Sequence, residues 1–139
     1  MVVRVEWRRI SPESEGLFGA ARVLYTYVVP PHSEIVYIGR ADGKTVGERW
    51  GRSAKEKFWD DLERERRIFK HAVLVGVLEL EQGSRLTREL LADVESLLIH
   101  EVGPWGNVQS RQSRISRPGL RVVCGGEWPF PKSLFVDRG

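Results

Sequence analysis

Apolar and polar positions along the chain fall into blocks with clear stops between them. Residues 2–7, VVRVEW, alternate and predict a short strand; Ser11 to Gly19, carrying Pro12 and Gly16, predicts a loop. Residues 22–29, RVLYTYVV, are almost wholly β-branched or aromatic until Pro30-Pro31-His32-Ser33 stops them. Glu34 to Gly39 (EIVYIG) follows at once, and two strands across so short a connection make an antiparallel hairpin. Ala41 to Gly43 is a turn, and Thr45–Trp50 and Ala54–Lys70 read as helical, the second dense in charge. Ala72 to Leu80, AVLVGVLEL, is apolar enough for a central strand. Thr87 to Val102 is the strongest helix, with Thr87 as its cap and Gly103-Pro104 as its stop. Beyond Trp105 the chain is rich in Gly, Pro and Arg, with one short strand near Leu120–Cys124. This order predicts an α+β fold: a small antiparallel sheet of three central strands flanked by α-helices.

Composition narrows the class without naming a function. The chain has 139 residues, room for one domain, and is 41% hydrophobic, which argues against disorder. A single cysteine, Cys124, excludes an internal disulfide and a zinc cage of several thiolates. No apolar run approaches the length of a membrane span, and Arg4 and Glu6 interrupt the N-terminus where a signal peptide needs a clean apolar run. The expectation is a cytoplasmic protein with no membrane partner. A net charge of +3 is compatible with nucleic acid and too mild to identify it. The layout is uneven: Arg111, Arg114, Arg117 and Arg121 lie in a stretch almost free of acids, which makes residues 108–139 a basic C-terminal extension suited to phosphate contacts. Its last part, EWPFPKSLFV, is apolar enough to dock, to dimerise or to close the core.

Glu95 is the most informative position. Its helical neighbours Leu91, Ala92, Leu98 and Ile99 are all apolar, so its carboxylate faces the core side. An unpaired carboxylate there costs several kcal/mol, on the order of the buried-ion penalty; an arginine at the core edge would compensate it, or a divalent cation. The three tyrosines, Tyr25, Tyr27 and Tyr37, all lie in the hairpin. If Val29 pairs with Ser33, Tyr25 lies opposite Tyr37. Gly39 ends the second strand and permits close approach, Arg40 beside it is shaped for phosphate, and Asn107 sits where the chain turns after the long helix.

In order and spacing these elements resemble the GIY-YIG endonuclease superfamily. Val23-Leu24-Tyr25 stands at the first motif and Tyr37-Ile38-Gly39 at the second, the latter literally. Arg49 matches the helix arginine, Glu95 the metal-binding glutamate and Asn107 the asparagine, so the likeness runs from about Arg22 to Asn107. The first motif keeps only its Tyr, and Tyr27 competes for that role. Ser53 stands where some members carry a His or Tyr, with Lys55, Lys57 and His71 as alternatives. The resemblance implies hydrolysis of DNA phosphodiesters with Mg²⁺ or Mn²⁺ on Glu95. Tyr25 and Tyr37 would handle the attacking water, Arg49 the developing charge, and Asn107 would brace its loop. Arg40, Arg111, Arg114 and Arg117 would contact DNA, and cutting both strands would take a homodimer. The competing expectations are a nucleic-acid-binding module without cleavage, and an interaction domain in which Glu95 merely pairs with an arginine.

Overall fold

The computed structural model describes residues 1–10, 22–30, 33–42, 56–107 and 117–138. Six strands form one mixed, curled sheet: β1 (Val2–Ile10), β2 (Val23–Val29), β3 (Glu34–Ala41), β4 (Ala72–Leu80), β5 (Arg121–Gly126) and β6 (Leu134–Val136), in the order β3-β2-β4-β1-β5-β6. Among the described residues there are two α-helices, α1 (Glu56–Arg66) and α2 (Arg88–Val102).

This corrects the expected three-stranded sheet flanked by helices. The antiparallel unit β3-β2-β4 is present, but β4 also pairs antiparallel with β1, and β1 pairs in parallel with β5. The chain's two ends thereby add three strands. Val3, Val5 and Trp7 on β1, and Val122 and Cys124 on β5, carry the core across these added strands. The C-terminal segment closes that core: Phe135 on β6 is fully buried and packs near Trp128 and Phe130.

The sheet has two buried faces. Leu24, Ile38, Val5 and Leu74 share one with Leu91, Val94 and Leu98 of α2. Tyr25, Tyr27, Val73 and Val75 share the other with Trp59 and Leu62 of α1. The period of 2 along each strand, against helices on both sides, makes β2 buried at every position. Thr87 caps α2 by accepting from the Leu90 N–H at 3.1 Å, and Gly103 ends it in the left-handed region at φ 66°, a conformation glycine adopts without a Cβ penalty. Helix α1 stops sooner than its charge pattern suggests, at Arg67, whose φ is 55°. The expected loop at 11–19 and helix at 45–50 lie outside the described residues. Among those described, no helix is long and apolar enough to cross a membrane.

The hairpin register also differs from the one considered. Val29 pairs with Glu34, and the register shifts after Tyr27/Val28, so Tyr27 lies opposite Tyr37 and Tyr25 opposite Gly39. A bulge inserts Val36 as an extra residue on β3 and turns Val36 and Tyr37 toward the same side.

Candidate functional site

The site region is the outer edge of the sheet, where β3 has, among the described residues, β2 on one flank only. The three tyrosines form one stack there: Tyr27 and Tyr37 have ring centroids 5.4 Å apart, Tyr25 and Tyr37 6.1 Å, and Tyr25 and Tyr27 5.5 Å. Phe58 and Trp59 of α1 pack on this stack from the outside. Tyr25 and Tyr27 are buried, whereas Tyr37 is half-buried.

Gly39 makes room for the stack. A Cβ at this position would sit 2.6 Å from both Cζ and Oη of Tyr25 and 2.9 Å from Cε1 of Tyr37. The phenol end of Tyr25 therefore rests on bare backbone, and any side chain at residue 39 would evict it. One residue further along, Arg40 turns to the α2 side and donates from Nη1 to Oε1 of Glu95 at 2.5 Å. Tyr25 and Glu95 thus reach consecutive residues of one edge strand, from the α1 side and the α2 side respectively.

Glu95 keeps 14% of its side-chain surface exposed and Arg40 keeps 42%. The partner that compensates this inward-facing acid is therefore the arginine expected to contact phosphate. A carboxylate has room for several hydrogen-bond or metal partners, and Arg40 is long and exposed enough to swing away. Among the described residues no three His, Cys, Asp or Glu side chains gather into a metal cage. A cation at Glu95 would then be held by one carboxylate, water and substrate oxygens, an arrangement Mg²⁺ accepts because it retains much of its hydration.

Asn107 serves the same edge in another way. It ends a 3-10 turn (Trp105–Asn107), and its side chain accepts from the Ile38 N–H at 2.8 Å and donates to the Ile38 carbonyl at 2.9 Å. The buried amide imitates a neighbouring strand and satisfies the backbone pair that β3 points away from β2. Ile38 lies between Tyr37 and Gly39, so this brace fixes both. Asp42, just after β3, ties the end of the strand to the start of α2 through Arg88 at 3.2 Å, and also faces Arg22 at 3.6 Å.

The other expected residues are distributed differently. Arg49, Arg111, Arg114, Ser53 and Lys55 lie outside the described residues. Arg117 is bound into the fold: its Nε lies 3.2 Å from Asp93 and its backbone N–H donates to Asp137 at 2.7 Å. Burial pushes the Asp93 carboxyl above its usual range; Arg117 opposes that shift, while Asp137 and Glu89 add to it. Lys57 bonds Asp61 at 2.8 Å. His71 stacks on Trp59 at 4.1 Å and lies 6.2 Å from the Tyr27 ring, and burial holds its pKa below the usual value.

Sequence reasoning missed the Glu34–Arg66 pair, whose partners belong to different elements. Arg66 donates twice to the Glu34 carboxylate, at 2.8 and 3.0 Å, and its guanidinium lies 6.0 Å from the Trp105 ring centre. The hydrogen bonds from Arg66 hold the Glu34 carboxyl below its usual range, against a smaller opposing effect of burial. A depressed folded pKa gives stability that is present above the unfolded value near 4.5 and lost as pH falls through the folded value. Glu34→Gln should therefore lower stability by about 0.2–1 kcal/mol at pH 7, as expected for a partly exposed pair, and by less at pH 3. Urea midpoints of both proteins at the two pH values check this; an equal difference at both would remove the ion pair as its source.

Comparison with known protein families, curated proteins and solved structures finds no match to this chain.

Proposed function

We propose that this chain is a divalent-metal-dependent endonuclease of the GIY-YIG type, hydrolysing phosphodiester bonds of DNA. The observation that carries the reading is that the Tyr25–Tyr37 pair and the Glu95–Arg40 pair rest on adjacent residues of β3, Gly39 and Arg40, from the two faces of the sheet. The ordered motifs from Tyr25 to Asn107 predict that these residues act together, and the braced edge strand is a rigid support for them.

Each side chain has a task suited to its chemistry. Tyr25 or Tyr37 would orient the attacking water and take its proton; a phenol with a pKa near about 10 needs neighbouring positive charge to do so at neutral pH. Arg40 would leave Glu95 for a phosphate oxygen, and Arg49 would oppose the charge that grows on the phosphoryl group. Glu95 would hold Mg²⁺ or Mn²⁺, which when bound supplies Lewis-acid stabilisation of the phosphate and leaving oxygens. Asn107 would keep Tyr37 and Gly39 in register through Ile38.

The experiment is cleavage of plasmid and single-stranded DNA by the wild-type protein. Nicking should require Mg²⁺ or Mn²⁺ and stop with a chelator, and DNA affinity should fall steeply with salt. Cleavage that persists in excess chelator would sink the metal assignment. The closed Glu95–Arg40 pair favours a second reading, a nucleic-acid-binding module without cleavage. Salt-sensitive DNA binding with no cleavage under any divalent metal would select it.

A further inference from the structure

Beyond the tyrosines, the same edge of the sheet opens into a groove of about 620 Å³ between the start of β3, the end of α2 and the C-terminal loop. Its apolar walls include the half-buried rings of Trp105 and Phe130, together with Ile35 and Val102. Its polar feature is the Glu34–Arg66 pair, with Arg66 6.0 Å from the Trp105 ring centre. The size is that of a pocket for an organic ligand rather than for an ion.

We infer that this groove is a base-binding subsite for an unpaired stretch of the DNA substrate, so that the protein acts on single-stranded or locally opened DNA. The inference rests on the nuclease reading for the chemistry of its ligand. Two aromatic rings and a guanidinium offer flat surfaces on which bases stack whatever their sequence. The Glu34 carboxylate, fixed by two hydrogen bonds, offers an acceptor to an exocyclic amino group. Position adds the third argument. Trp105 and Asn107 belong to one turn, so the wall of the groove and the brace on Ile38 are rigidly linked. From Glu34 to Gly39 a strand rises roughly 17 Å at its usual ~3.3 Å per residue, a distance that a few nucleotides span. Bases in an intact duplex are paired and stacked and cannot enter such a groove without being extruded.

The test is fluorescence anisotropy of labelled dA12, and of a duplex of equal length, with EDTA present so that cleavage plays no part. Wild type should prefer dA12. Trp105→Ala should weaken dA12 binding roughly ten-fold with little change for duplex, and Trp105→Tyr should restore most of it. Phe130→Leu, on a separate segment, should weaken dA12 binding several-fold and guards against a local disturbance of the turn. An inactive wild type with ring-dependent binding of dA12 would support the groove while removing the nuclease reading. Equal affinity for both DNA forms, or dA12 binding unmoved by both ring substitutions, would overturn the proposal. A proline-rich peptide that binds through Trp105 and is not displaced by dA12 would overturn it as well.

Discussion

Glu95→Gln is expected to reduce divalent-metal-dependent cleavage by on the order of a thousand-fold, the largest change in activity that any single substitution at this edge should cause. Glutamine has nearly the same shape, and its amide oxygen can still accept from Arg40. What it lacks is the charge that would hold a cation, so the loss should fall on the chemical step. The fold should move by only about 1 kcal/mol, because the bond it weakens, Arg40 Nη1 to Glu95 Oε1, has a partly exposed guanidinium. Time courses of plasmid nicking in Mg²⁺ and in Mn²⁺, beside thermal melts of both proteins, separate the two effects. A variant that cuts at a comparable rate would end the proposed role of Glu95. A variant that only melts earlier, beside a wild type that never cuts, would make the Arg40–Glu95 pair structural.

What could be read before the fold was known depended on how local the signal was. Thr87 and Gly103 mark both ends of α2 because capping chemistry acts within one turn. The run from Val23 to Val29 declares a buried strand by composition alone. The width of the sheet had no local signal. β1 lies in parallel beside β5, a pairing between the two ends of the chain, and no residue pattern within either strand announces it. Register failed for a related reason: the strands first pair at Val29 and Glu34, one residue later than Ser33, and Val36 adds one more, so that together they bring Tyr27 rather than Tyr25 opposite Tyr37. The apolar neighbours of Glu95 did declare that it needed a partner, yet Arg40 is 55 residues away. Arg117 looked like part of a basic stripe because the acids that receive it, Asp93 and Asp137, come from α2 and the chain's end. Helical neighbours signal Glu95 and not Asp93, whose neighbours Glu89 and Ser96 are polar, yet Asp93 is the more buried of the two; which side chain is covered, and what it meets there, depends on tertiary packing.

Asn107→Ala is expected to be the most destabilising of these substitutions, costing about 2–4 kcal/mol. The variant loses two hydrogen bonds at once and leaves both the N–H and the carbonyl of Ile38 without the amide that covers them. Those groups lie on the flank of β3 that no described strand covers, beneath a residue only 3% exposed, so water does not simply replace the amide. Asn107→Asp should fare no better: one carboxylate oxygen can accept from Ile38 N–H, but the other faces the Ile38 carbonyl where the amide had donated. Urea unfolding gives the energies, and hydrogen exchange at the Ile38 amide reads the brace directly, since protection there should collapse in Asn107→Ala, which has no acceptor left for it. Cleavage should fall too, because Tyr37 and Gly39 flank the released residue and the Tyr25 phenol rests on Gly39. Stability within 0.5 kcal/mol of wild type (roughly the scatter of neutral surface changes), with Ile38 still protected, would contradict the brace and return Asn107 to the ordinary role of a turn residue.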